Sequence, residues 1–133
     1  MNRPFDLNDR LIEFAVEIIK LYNSIDKSPA GIYLADHMMR AGISPSLHYG
    51  EAQGSESRKD FIHKLGILIK ELRETFNALK IIHKAQLNGK ATLLTQQLST
   101  ECSELIAIFN TSIRTTKQNT HAKLRKKEMN NNK

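Results

Sequence analysis

The spacing of the apolar side chains constrains the fold of this chain more than any other feature. They recur at intervals of three and four residues in four separate stretches, and almost no stretch alternates between apolar and polar residues. This period places them on one face of an α-helix, whereas a half-buried strand needs a period of two. We predict helices at about residues 7–24, 29–52, 58–87 and 91–118. Short connections favour antiparallel neighbours, so the sequence predicts an all-α, antiparallel up-and-down four-helix bundle.

The residues at the predicted helix ends agree with these boundaries. Short polar side chains can accept hydrogen bonds from the unpaired N–H groups of a first turn, which makes Asp6, Ser28 and Ser57 the predicted N-caps. Gly54 is predicted to end the second helix, and Asn88-Gly89 to stop the third in a left-handed conformation. Pro45 lies inside the second helix, and because proline removes one backbone hydrogen bond we expect a bend or a break there.

The chain length suits one compact domain followed by a tail. Its 133 residues are 40% hydrophobic, which is enough for a single core. We place the four-helix bundle at residues 1–119. Residues 120–133 are polar, basic and low in apolar side chains, so we expect a disordered tail.

Composition narrows the location and the partners of the protein. The formal net charge is +6 and the pI is about 9.6, which favours anionic partners such as RNA or DNA. No apolar run approaches the ~18 residues that a membrane span needs. The single cysteine, Cys102, cannot form an internal disulfide, and the first ten residues lack the apolar region of a signal peptide, so we expect a cytoplasmic protein.

The positive charge is concentrated in the second half. Residues 1–54 carry five basic and seven acidic side chains, whereas residues 55–133 carry fifteen and seven. The third helix is predicted to have a core side, consisting of Phe61, Leu65, Leu68, Leu72, Phe76 and Leu79. A second side of the same period consists of Lys59, His63, Gly66, Lys70, Arg73, Asn77, Lys80 and Lys84. Five of these eight residues are Lys or Arg and none is acidic.

A row of this kind can neutralise several phosphates in a salt-dependent way. It is also the ordinary solvated side of a long helix, and Glu74 is close enough in sequence to pair with Lys70. The predicted contacts to nucleic acid are Lys59, Lys70, Arg73, Lys80 and Lys84, with Lys123, Arg125, Lys126 and Lys127 of the tail.

A third side of the same helix mixes charged and apolar residues: Asp60, Lys64, Ile67, Glu71, Glu74, Ala78 and Ile81. A helix that is apolar on more than one side is usually covered on more than one side. Ile67 and Ile81 therefore suggest subunit packing, although single isoleucines on a surface are common.

The sequence offers little that could support catalysis or bind a metal. A di-iron bundle needs two Glu-x-x-His pairs and two further glutamates, whereas this chain has one Asp60-x-x-His63 and one Glu101-x-x-Glu104. Cys102 lies on the apolar side of its helix and is predicted to be a packed thiol. His37, His48 and His83 have no obvious partner. We therefore predict no enzyme activity, no cofactor and no metal.

Two stretches carry a resemblance to a known family: "DLNDRLIEFAVEIIKLYNSI" and "YLADHMMRAGISPSLHYGEAQGSESRKDFIHKLGILIKELRET". They resemble the 23S ribosomal-RNA intervening-sequence proteins over about residues 6–118. The family's polar motif falls at Arg40, Ser44, Tyr49, Glu51, Ala52, Ser57, Asp60, Phe61, Lys64, Lys70, Glu71 and Glu74. This sequence departs from the family at Pro45 and at Leu47-His48.

The resemblance implies an antiparallel four-helix bundle without enzymatic activity that assembles as a ring-shaped homopentamer. The accessory protein of diversity-generating retroelements, a similar basic pentamer, binds nucleic acid and a reverse transcriptase. The resemblance also implies a structural charge network that ties the second helix to the third, within or between subunits: Arg40, Glu51, Asp60, Lys64, Glu71 and Glu74. We predict a non-enzymatic homo-oligomer that binds RNA or DNA through its basic surface. The alternative is a protein-interaction scaffold without nucleic-acid binding.

Overall fold

The computed structural model describes residues 6–132 and contains four helices. They are α1 (Leu7–Tyr22), α2 (Pro29–Gln53), α3 (Arg58–Lys84) and α4 (Thr92–Asn131), and no strand occurs within the described range. Each helix packs against its neighbour in the chain and α4 packs against α1, whereas the Cα atoms of the diagonal pairs stay more than 8 Å apart. The predicted all-α four-helix bundle is confirmed. Residues 1–5 and 133, the outer ends of the predicted domain and tail, lie outside the described residues.

The three predicted N-caps are confirmed. The Asp6 carboxylate accepts a hydrogen bond from the Asp9 N–H at 3.1 Å. The Ser28 hydroxyl accepts from the N–H of Gly31 at 3.2 Å, and the Ser57 hydroxyl from the N–H of Asp60 at 3.1 Å. Each cap satisfies one of the N–H groups that a first turn leaves unpaired, so the side chain itself fixes where the helix begins.

Pro45 does not break α2, which runs without interruption from Pro29 to Gln53. The proline ring is buried, and the hydroxyls on either side of it donate to nearby backbone carbonyls. Ser44 donates to the carbonyl of Arg40 and Ser46 to that of Ile43, both at 2.8 Å. Of the two outcomes predicted for Pro45, the break is therefore wrong.

The third helix stops earlier, and in a different way, than predicted. It ends at Lys84, and Gln86 adopts the left-handed conformation with a φ of +57°. The Leu87 N–H donates to the Ile82 carbonyl at 3.0 Å and the Gln86 N–H to the His83 carbonyl at 3.1 Å. This pair of bonds is a Schellman motif. Gly89 is also left-handed, with a φ of +53°, but it lies in the following loop, so the predicted Asn88-Gly89 stop is wrong.

The core lies between the four helices and includes the predicted core side of α3. Leu65, Leu68, Leu72 and Leu79 are fully buried, and Phe61 and Phe76 pack against them while remaining half-buried. This packing fixes the rotation of α3 about its axis, and so determines which of its other sides faces solvent.

The fourth helix continues well beyond the predicted end at residue 118. It has 40 residues and is about 60 Å long at 1.5 Å per residue. Residues 119–131, the α4 extension, are exposed except for half-buried Thr120. The structure thus differs from the predicted disordered tail. Helix α4 continues without a break through residues 119 and 120, the predicted boundary between the bundle and the tail. Lys, Arg, Leu, Glu and Ala favour helix, so a helix already nucleated in the bundle can propagate through them without a core.

Candidate nucleic-acid interface

The third helix presents its predicted basic side to solvent. The eight residues of this α3 basic row are Lys59, His63, Gly66, Lys70, Arg73, Asn77, Lys80 and Lys84, and all eight are exposed. At 1.5 Å per residue the row extends over about 37 Å. It is positioned by the buried leucines on another side of the same helix. A rigid helix therefore holds five cations in a line.

The five Lys and Arg side chains of the row form no ion pair within residues 6–132. Glu71, adjacent to Lys70 in sequence, is bound by His48, and Glu74, adjacent to Arg73, is exposed and makes no ion pair with another described residue. The Nζ atom of Lys80 lies 5.1 Å from the ring centre of Phe76, a contact that orients the amine without neutralising it. The charge of the row is therefore available to an anion from solution.

The predicted charge network is only partly formed within the chain. Lys64 and Asp60 pair at 3.1 Å, but both lie on α3. Glu71 is bound across the helix interface by His48, with 2.5 Å between Nδ1 and Oε1. His48 is thus the residue that ties α2 to α3, and the expectation that it has no partner is wrong.

The other three members of the predicted network, Arg40, Glu51 and Glu74, form no ion pair between α2 and α3 within residues 6–132. Arg40 contacts His37 on its own helix, with 3.4 Å between Nη2 and Nδ1. Glu51 and Glu74 are exposed and form no ion pair within the described part of the chain. Their predicted role between subunits stays a prediction.

The predicted cations of the tail lie on the α4 extension and are all exposed. Lys123, Lys126 and Lys127 line a groove together with Arg58 of α3, and Arg125 lies outside it. The structure thus brings three of the four tail cations to the beginning of α3. Sequence reasoning missed Arg58 because its distance from the tail in the fold depends on how far α4 continues.

Exposed aliphatic residues occur on all four helices, and two of the sets lie on the diagonal pair α1 and α3. Ile67 and Ile81 of α3 are 38% and 50% exposed, so they lie outside the core as predicted. Ile12, Val16 and Ile19 form a row on α1, here called the α1 apolar row, with exposures of 40–45%. Sequence reasoning missed this row, although its spacing of four and three residues is visible in the sequence.

The acidic pair on α4 has a structural partner. Arg10 of α1 donates to both Glu101 and Glu104, and its Nε lies 3.2 Å from Glu101 Oε2. The hydrogen bond and the charge of Glu101 raise the pKa of the Arg10 guanidinium despite its partial burial. These glutamates therefore connect α1 to α4. Within residues 6–132, no group of three or more His, Cys, Asp or Glu side chains is arranged to hold a metal ion.

The thiol of Cys102 is packed in the core, as predicted. It is fully buried, and its Sγ donates to the backbone carbonyl of Leu72 at 3.1 Å. Burial, reinforced by the nearby Glu101 carboxylate, raises its pKa to about 12. Because the thiolate is the reactive form, this residue is not poised as a nucleophile. None of the helices in the described part of the chain is both long enough and apolar enough to cross a membrane.

Comparisons with known proteins agree with this bundle. The model of a family described as 23S rRNA-intervening sequence protein matches residues 5–111. A crystal structure from Bacteroides thetaiotaomicron, described as a protein with unknown function from the S23 ribosomal protein family, is similar at a TM-score of 0.72 and 26% identity. The match covers 80% of this chain and 96% of that one. No curated protein matches. The family match ends inside α4, so the α4 extension lies beyond it.

Proposed function

Because the chain belongs to the family of 23S rRNA-intervening sequence proteins, we propose that it is a non-enzymatic homo-oligomer that binds RNA or DNA. The α3 basic row and the α4 extension carry the contacts to phosphate. The observation that supports this most directly is the row itself: five exposed cations along one rigid helix, none neutralised by a described carboxylate. Binding of this kind gains its free energy from the release of counterions and needs no base-specific contact.

The number of cations gives an expected salt dependence. If each of the five neutralises one phosphate, log Kobs falls against log[salt] with a slope of about −3.5 for a single strand and about −4.5 for B-form DNA. Contacts from the α4 extension make the slope steeper. A slope near zero contradicts the proposal, because a row of unpaired cations cannot bind a polyanion independently of salt.

A filter-binding titration of labelled RNA at several salt concentrations tests the proposal. Lys70→Glu with Arg73→Glu should weaken binding and leave the circular dichroism spectrum unchanged, since both side chains are exposed. Lys20→Glu with Lys27→Glu is the matched control: it changes the net charge equally at exposed positions outside α3 and α4. Equal losses in the two double variants would mean that only net charge matters. If the wild-type protein retains no RNA at micromolar RNA concentration, the proposal is wrong.

Assembly is supported by the two exposed aliphatic sets. The α1 apolar row and the pair Ile67 and Ile81 lie on helices that do not contact each other. Two different apolar faces on separate sides of a bundle favour a heterologous interface, in which one face meets the other face of the next copy. Such an interface gives a ring when the rotation between successive copies closes, and the family resemblance implies five subunits. A cytoplasmic location likewise stays a prediction.

Light scattering during size-exclusion chromatography tests the assembly. The wild-type protein should elute with a mass several times that of the 15.2 kDa chain. Val16→Glu and Ile81→Glu should each yield monomer, because a charge placed in a closed apolar interface costs more than the interface gains. Leu93→Glu, at a residue 66% exposed on α4, is the control that should leave assembly intact. A wild-type monomer at all concentrations would contradict this part of the proposal.

A protein-interaction scaffold is the second candidate, and the α1 apolar row favours it. Contiguous exposed aliphatic residues commonly mark protein contacts, and a different protein could cover them as well as a second copy. A pull-down after nuclease treatment separates the two readings. Stoichiometric recovery of another protein by wild type, and its loss in Val16→Glu, would support the scaffold.

A further inference from the structure

Where the α3 basic row begins, the fourth helix forms the second side of a groove that Lys59 lines. Two contacts set the register: Cys102 Sγ lies 3.1 Å from the Leu72 carbonyl, and Lys117 and His121 line a groove with Lys59. Extending the helical period of three and four residues from Lys117 and His121 towards the start of α4 predicts which residues follow the same side of the helix. They are Ser99, Ser103, Ile106, Asn110, Arg114, Lys117 and His121, and none is acidic. We call the space between them and the α3 basic row the α3–α4 groove.

Four carboxylates of these helices follow other sides of the bundle, whereas Asp60 pairs with Lys64 and Glu128 lies on the exposed α4 extension. Glu101 and Glu104 of α4 are bound by Arg10 on the α1 side. On α3, Glu71 is bound by His48 on the α2 side, and Glu74 follows the same side of the helix. The side chains on both sides of the α3–α4 groove are thus basic or neutral. Cations facing a concave surface from two sides raise the local concentration of anions more than one convex row does.

The groove leads into a cleft where α3 begins and the α4 extension passes. Two adjoining spaces of about 250 and 510 Å³ share Arg58 and Thr120. The basic residues that line them are Arg58, Lys59, Lys117, His121, Lys123, Lys126 and Lys127. No carboxylate lines either space, and Asp60, the nearest acid of α3, pairs with Lys64. We call this the Arg58 cleft.

We infer that the phosphate backbone of a bound nucleic acid lies along the α3–α4 groove and enters the Arg58 cleft. Arg58, Arg114 and Lys117 are then contacts to phosphate in addition to the row and the tail. Arginine suits this role because its planar fork can bind two phosphate oxygens at once. The hydroxyls of Ser99 and Ser103 and the amide of Asn110 add neutral donors to phosphate and sugar. This inference rests on the proposed function and assigns a path to the same ligand.

The test uses two double variants of the full-length chain. Arg58→Ala with Lys117→Ala removes one arginine and one lysine from the cleft, and both are exposed. Lys20→Ala with Lys27→Ala removes two exposed cations from α1 and the loop that follows it, outside α3 and α4. The probe is one labelled RNA oligonucleotide, titrated by fluorescence anisotropy over a series of salt concentrations. Thermal unfolding followed by circular dichroism checks that both variants fold, since exposed substitutions of this kind cost little stability.

The cleft variant should bind more weakly, with a salt slope reduced by about 1.4 for a single strand. The control variant should keep the wild-type slope. If the cleft variant binds like wild type while Lys70→Glu with Arg73→Glu loses binding, the groove path is wrong and the proposed function stands. If the wild-type protein binds no RNA at any salt concentration, the proposed function fails, and this inference fails with it.

Discussion

Two helical glycines should respond to the same substitution with opposite signs. Gly42 lies on the buried side of α2, where an added Cβ would meet Ile18 of α1 at 2.9 Å from Cγ1, 3.1 Å from Cγ2 and 3.2 Å from Cδ1. Ile18 is fully buried and cannot swing away. Gly66 lies in the exposed α3 basic row, and a Cβ there would meet nothing within 4 Å. Gly42→Ala and Gly66→Ala are therefore a matched pair that differs only in packing.

The expected magnitudes follow from two opposing effects. Alanine in place of glycine inside a helix stabilises by about 0.5–1 kcal/mol because the unfolded chain loses less backbone freedom. Forcing one extra methyl group into a packed core costs about 1–3 kcal/mol. Gly66→Ala should therefore raise the free energy of unfolding by about 0.5–1 kcal/mol. Gly42→Ala should lower it by about 1–2 kcal/mol, because the clash exceeds the gain.

Urea unfolding followed by circular dichroism measures both values at an unchanged m-value. A double-mutant cycle with Ile18→Ala identifies the cause, because Gly42→Ala should become neutral or stabilising once the Ile18 side chain is shortened. If Gly42→Ala stabilises as much as Gly66→Ala, then α1 and α2 are not packed as closely as the structure describes. A large loss of stability in Gly66→Ala would show that another subunit covers the α3 basic row.

Three further predictions concern the core and the α4 extension. Cys102 should not react with a thiol reagent at about pH 8 until the protein unfolds. Its pKa is raised from 9.0 to about 12, so stability should fall as pH rises above 9, where only the unfolded thiol loses its proton. Cys102→Ala should show a smaller fall, because the raised pKa values of Tyr22 and Tyr49 act in the same direction at higher pH. Thr95→Val should cost about 1–3 kcal/mol, measured by urea unfolding, because Thr95 Oγ1 accepts from the buried amide of Asn88 at 3.0 Å. Deleting residues 120–133 should leave the thermal midpoint nearly unchanged, since the described residues there are almost all exposed, but should flatten the salt dependence of RNA binding.

The fold could be predicted because its determinants are local. An apolar period of 3.6 residues specifies a helix wherever it occurs, and Asp6, Ser28 and Ser57 each satisfy N–H groups within three residues of themselves. The sides of α3 follow from the same period. Once Leu68 and Leu72 are buried, the positions of Lys70 and Arg73 on an exposed side are geometrically fixed.

The features that prediction missed depend on contacts between segments or on small differences in free energy. The hydrogen bond between His48 and Glu71 joins residues 23 positions apart, and its formation depends on how α2 and α3 pack. Gln86 serves as the left-handed residue because the Schellman bonds compensate for a conformation that glycine adopts at lower cost. The α4 extension is helical by propensity alone, without the apolar period by which helices are recognised.

Some charged side chains of this bundle are paired between helices, whereas others form no ion pair among the described residues. Arg10 joins α1 to α4, His48 joins α2 to α3, and Tyr22 joins α1 to α2 through Asp36, so bound carboxylates lie on three of the four interfaces between neighbouring helices. The interface between α3 and α4 has no ion pair among the described residues and carries unpaired cations on both sides. Folding does not use these cations, and their mutual repulsion destabilises the bundle. Added salt should therefore raise the thermal midpoint by screening that repulsion, whereas it should lower the midpoint of a bundle held together mainly by ion pairs. The same argument predicts that a bound polyanion stabilises the folded chain, because the polyanion supplies the negative charge that the interface between α3 and α4 lacks.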